Sequence, residues 1–74
     1  MSIPTINLTA TGENINRMRL EAGIAVNDIQ EACGFSTPYA VYKWIHGQNL
    51  PTIDNMLILA SMLNATLNDI LVVE

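Results

Sequence analysis

Few residues in this 74-residue chain are of the types that do chemistry, and their spacing narrows what that chemistry can be. Cys33 is the only cysteine and His46 the only histidine. One of each cannot complete a tetrahedral zinc site within a chain, and a lone cysteine forms no internal disulfide. The same scarcity argues against Cys/His or Ser/His nucleophilic catalysis, which needs a base beside its nucleophile and a walled pocket. Asp28 and Glu31 are spaced for one helix face, but no other metal-ligand type lies near them. Neither an enzyme, a metal site nor a cofactor is therefore expected. Tyr39 and Tyr42 stand out instead, because two outward tyrosines on one short helix are unusual for a plain surface. Lys43 beside them is either a solvated lysine or a contact to a partner. Trp44 falls on the Val41 face and reads as core, and Cys33 reads as a small buried hydrophobe.

The elements that position these residues must come from a single small domain. The chain has 3 Lys+Arg against 7 Asp+Glu, a net charge of -4, 50% hydrophobic and only 14% charged residues. Such a composition excludes disorder. A domain this size buries only about 60–65% of the surface its unfolded chain exposes. Apolar surface is left over, and a homodimer is its simplest use. The N-terminal segment has no basic run followed by an apolar one, so no signal peptide is expected. The longest apolar stretch, Met56 to Leu63, falls far short of the ~20 residues that span a bilayer. The expectation is a cytoplasmic protein that enters no membrane.

Periodicity and punctuation give five helices. Residues 1–8 read as an extended arm, with Ile6 and Leu8 alternating against polar neighbours. A helical domain is expected over 9–71, followed by a β-prone tail at 72–74. Thr9 or Thr11 is the expected cap of a first helix running to about Ala22, with Ile15, Met18 and Ala22 inward. A second helix spans about Val26 to Cys33 and ends at Gly34. Thr37 is the expected cap of a third, with Pro38 in its first position, Val41, Trp44 and Ile45 inward, and Gly47 as its stop. Thr52 caps a fourth through Asn64, with Ile53, Met56, Leu57, Ala60 and Leu63 inward. Thr66 and Asp69 make a capping box for a last short helix.

The ordered series Ile15, Met18, Arg19, Gly23-Ile24, Ala25-Val26 through Ile29, Gly34, Trp44 through Gly47, Pro51-Thr52 and Leu67 through Leu71 resembles the phage repressor/Cro-type (XRE-type, lambda-repressor-like) helix-turn-helix family. The resemblance covers about residues 10–71. It implies a compact all-α, five-helix domain whose second and third helices form the helix-turn-helix. The third helix would enter the major groove of double-stranded DNA. By position, the DNA-contacting residues implied are Thr37, Pro38, Tyr39, Tyr42, Lys43 and His46, with Asn27, Gln48 and Asn49 at the backbone. Lys43 would be the main base or phosphate donor, and the tyrosines would meet phosphates or a thymine methyl. Arg19 leans towards pairing with an acid inside the fold.

Four positions depart from the family pattern. Ala25 and Val26 replace its Ser/Thr-Gln opening, which removes one cap and one DNA contact. Gln30 stands where a small alanine is usual, and Ile45 stands where a glutamate is common. The link from Gly34 to Gly47 is one residue longer, which would give Gln30 room. Two functions follow. One is a small bacterial or phage-derived transcriptional regulator, homodimeric through apolar residues such as Leu20, Ile58, Val72 and Val73. The arm and tail there would pair as short strands. The other is an antitoxin-like or anti-repressor-like module that keeps the fold but binds a protein, a reading favoured by the net charge of -4.

Overall fold

The computed structural model describes residues 3–74, so Met1 and Ser2 of the expected arm lie outside the described residues. It contains five helices: α1 (Leu8–Glu21), α2 (Val26–Ala32), α3 (Tyr39–Ile45), α4 (Ile53–Leu63) and α5 (Leu67–Ile70).

α1 starts two residues before the earliest expected start because its cap is Asn7, not Thr9 or Thr11. Asn7 is extended, and its side-chain oxygen accepts from the Ala10 amide at 2.9 Å. Asparagine is among the strongest N-caps, whereas threonine is weaker. Thr11 has another role. It is fully buried, and its hydroxyl accepts from the Val72 amide at 2.9 Å. The C-terminal tail is thus fastened to α1. Arm and tail also pair directly: Asn7 N–H donates to Val72 O, Glu74 N–H donates to Thr5 O, both at 2.8 Å, and Ile6 and Val73 form an antiparallel bridge.

α1 rests on α3 through Gly12, which is buried. A β-carbon there would lie 2.3 Å from the Trp44 carbonyl oxygen and 2.5 Å from that of Ile45. Only glycine lets the two backbones approach so closely. Gly47, at φ +72, closes α3 in the left-handed conformation, and it lies against the Thr9 backbone as well. Gln48 N–H then bonds back to Lys43 O at 2.9 Å, which satisfies an otherwise orphaned carbonyl.

The core joins Ile15, Val26, Ile29, Val41, Trp44, Met56, Leu59, Ala60 and Ile70. Phe35 meets Trp44 edge to face, with ring centroids 5.8 Å apart. α4 corrects the expected inward set. Leu59 is fully buried, while Ile53 is 71% and Leu57 57% exposed. A helix apolar on nearly every side gives periodicity no contrast to work with. The face chosen is Met56, Leu59 and Ala60 because that side meets α2 and α5. Ala22, also expected inward, caps α1 and is exposed. α5 forms as expected: the Thr66 hydroxyl accepts from Asp69 N–H at 3.2 Å, and the Asp69 carboxylate accepts from Thr66 N–H at 2.9 Å. Asn14 reaches from α1 to donate to the Asp69 and Ile70 carbonyls at 2.8 and 2.9 Å, docking α5.

Candidate nucleic-acid interface

α2 and α3 are set by their turn. α2 opens without a side-chain cap, since Ala25 has none to offer. The Asp28 carboxylate supplies one half of a capping box by accepting from the Ala25 amide at 2.8 Å, where its charge also complements the helix dipole. At the other end Gly34 takes φ +75, and Phe35 N–H donates to Gln30 O at 3.0 Å. The Gln30 side chain donates to the Phe35 carbonyl at 3.3 Å. Gln30 therefore fastens the turn from both its backbone and its side chain.

α3 begins at Tyr39, with Pro38 rather than Thr37 as the flanking cap residue. Pro38 sits at φ -80 and ψ 4, a turn geometry outside the helix proper. The Thr37 hydroxyl still accepts from the Tyr39 amide, at 3.4 Å. Val41 and Trp44 point into the core, and Ile45 is half-buried. The opposite face carries Tyr39 (72% exposed), Tyr42, Lys43 and, just past the helix, His46. The Tyr42 and His46 rings stack, with centroids 6.2 Å apart and planes 19° apart. The Lys43 ammonium lies 6.0 Å from the centre of the Tyr39 ring, within cation–π range.

Six of the expected residues wall one open concavity of about 400 Å³: Pro38, Tyr39, Tyr42, Lys43, His46 and Gln48. Thr37 and Asn49 line a neighbouring one with Tyr39 and Lys43. Asn27 is exposed on α2 and lines neither.

The charge distribution singles out the same face. Arg17 is paired with Glu21 at 3.0 Å and also bonds Asn14. Arg19 pairs with no acid: its guanidinium donates to the Ile24 carbonyl at 3.3 Å, holding the end of α1 to the start of the next turn. Its Nε and the Asn16 side-chain oxygen are buried without a protein partner. Among the described residues, Lys43 is thus the one Lys or Arg with no hydrogen bond or ion pair to protein. No carboxylate lines either concavity on α3. Among the described residues no cluster of three His, Cys, Asp or Glu could hold a metal ion, and no helix is long and apolar enough to cross a membrane.

Sequence reasoning missed Gln30 as the clasp of the turn and Ile53 and Leu57 as outward residues. The expectation of a longer link between Gly34 and Gly47, with room for Gln30, hinted at the first. Nothing in the uniform apolar pattern of α4 marked the second.

No family model matches the chain, and no curated protein matches it in sequence. Solved structures do. The restriction-modification controller protein C.AhdI from Aeromonas hydrophila superimposes with a TM-score of 0.73 at 21% identity, over 85% of this chain and 94% of that one. The clp gene regulator ClgR from C. glutamicum gives 0.72 at 17% identity, over 89% and 84%. The DNA-binding domain of BldD gives 0.70 at 15%, over 89% and 94%. This chain shares the five-helix fold of these three structures, with α2 and α3 as its helix-turn-helix.

Proposed function

We propose that the chain is a small sequence-specific DNA-binding transcriptional regulator that places α3 in the major groove as a homodimer. The observation that carries this reading is electrostatic. In a chain of net charge -4, the outward face of α3 presents Lys43 and no carboxylate. A phosphate backbone is attracted by that local arrangement, while acids elsewhere limit non-specific affinity. Tyr39, Tyr42, His46 and Gln48 supply polar tips around Lys43, and Thr37 and Asn49 flank them. Asn27, on α2, would reach only the DNA backbone. The fold neighbours support the same reading, since one is described as a DNA-binding domain and two as a controller or gene regulator.

Dimerisation has its own support. Ile53 and Leu57 lie one turn apart on α4 and are more than half exposed, as are Leu20 and Val73. Ile58 and Val72 are half-buried, and Val72 is engaged by Thr11 within the chain. They therefore offer less to a partner than Ile53 and Leu57 do.

Replacing Lys43 and Tyr39 together by alanine tests the interface. Both are exposed, so the thermal melt should stay within the small change typical of surface sites, while DNA binding is lost. Unchanged binding by the double variant would refute α3 as the reading face. The exposed α4 patch favours a second reading, an antitoxin-like protein-interaction module. It would be upheld by a protein partner whose binding survives the Lys43/Tyr39 replacement but fails on Leu57→Ser.

A further inference from the structure

A helix that reads bases by hydrogen bonds presents Arg, Asn, Gln or Lys heads at successive outward positions. α3 presents rings. Pro38, Tyr39, Tyr42 and His46 wall most of the concavity, Tyr42 is held flat against His46, and Lys43 leans over Tyr39 at its rim. In the major groove of B-DNA the only methyl group on a base edge is the 5-methyl of thymine, where cytosine has only a hydrogen.

We infer that the α3 concavity selects DNA by enclosing thymine 5-methyl groups between the Tyr39 and Tyr42 rings, with Lys43 held at the rim against phosphate. The inference rests on the DNA-binding reading above and names what that site recognises. The charge pattern fits this occupant: the walls are apolar, the rim is cationic, and no carboxylate faces the groove. Tyr39 and Tyr42 both line this open concavity, so one or two thymine methyls can meet a ring. Tyr42 is the specificity-determining residue, because its ring is both walled by His46 and open to the groove.

The test separates this inference from the reading it rests on. Duplexes are first selected from a random library by the intact protein at low salt. Each thymine of the selected site is then replaced by deoxyuridine, which removes the methyl and leaves the pairing unchanged. The expected result is about a fourfold loss of affinity for each enclosed methyl, confined to one or two positions per half-site. Tyr42→Phe keeps the ring and should keep the preference for thymine over uracil. Tyr42→Ala should bind both duplexes alike. If uracil duplexes bind the intact protein as tightly as thymine duplexes, the inference fails and DNA binding stands. Loss of the preference in Tyr42→Phe would also overturn it, by making the hydroxyl the reader. If no duplex is selected at all, both fall.

Discussion

Gly12→Ala is a sharp test of how the interface is held. In the middle of an ordinary helix this change is favourable by about 1 kcal/mol. Here the new β-carbon would lie 2.3 and 2.5 Å from the Trp44 and Ile45 carbonyl oxygens, short of ordinary contact, which begins near 3.4 Å, by about 1 Å. Both obstacles are backbone atoms and cannot rotate away, so α1 and the end of α3 must separate. Overpacking costs about 1–3 kcal/mol; because the obstacles are backbone and the separation also loosens Ile15 against Val41 and Trp44, all of which are buried, the cost here falls in the upper half of that range, about 2–3 kcal/mol. After the gain in helix propensity, a net loss of about 1–2 kcal/mol remains. In a domain of this size that lowers Tm by about 4–16 °C. Thermal melts followed by circular dichroism measure it directly. Amide shifts in an NMR spectrum should move at residues 8–12 and 44–47 and little elsewhere. An unchanged or higher Tm would refute the close backbone contact of α1 with α3, and with it the account of what aims α3.

Other expectations follow from single contacts. The Thr66 amide, and secondarily the Thr66 hydroxyl, hold the Asp69 carboxyl below its ordinary value. The capping box therefore contributes stability above the ordinary carboxylate pKa and loses it as pH falls through the lowered one. An NMR titration of the Thr66 amide should show a midpoint below 3.8, and Asp69→Asn should abolish that midpoint. Burial pushes the Cys33 thiol up from its usual value, so at mildly alkaline pH it should react more slowly with a disulfide reagent than a short-peptide thiol does, and the difference should vanish in denaturant. Leu59→Ala empties a fully buried site and should cost about 2–5 kcal/mol in a urea melt. Leu57→Ser, on the exposed side of the same helix, should leave the melt of the monomer within about 0.5 kcal/mol and lower the mass seen by light scattering. If the two variants behaved alike, the orientation of α4 would be wrong.

Much of this architecture was legible because its signals are local. Thr52, the Thr66–Asp69 box, Gly34 and Gly47 mark helix ends by mechanisms that a sequence displays. The Val41–Trp44 face placed Tyr39, Tyr42 and Lys43 outward by simple helical spacing, and the structure does place them so. What was not legible depends on tertiary contacts. Thr11 looked like a cap and is instead buried against the tail, because Asn7 caps first. Gly12 carried no signal, since nothing in its neighbourhood tells that α3 crosses there. α4 offered apolar side chains on every side, so its buried face was decided by α2 and α5. Arg19 was expected to find an acid and found the Ile24 carbonyl instead, within its own chain reversal.

The proposal that this fold binds DNA is tested most directly by a fluorescence-anisotropy titration with the DNA flanking its gene, at several salt concentrations, for the intact protein and for Lys43→Ala. Each phosphate contact contributes about -0.9 to the slope of log affinity against log salt. A dimer with two Lys43 side chains at phosphates should show saturable binding with a slope of at least about -1.8, and Lys43→Ala should flatten the slope by about that amount. An absence of binding even at low salt, or a slope that Lys43→Ala leaves untouched, would contradict it.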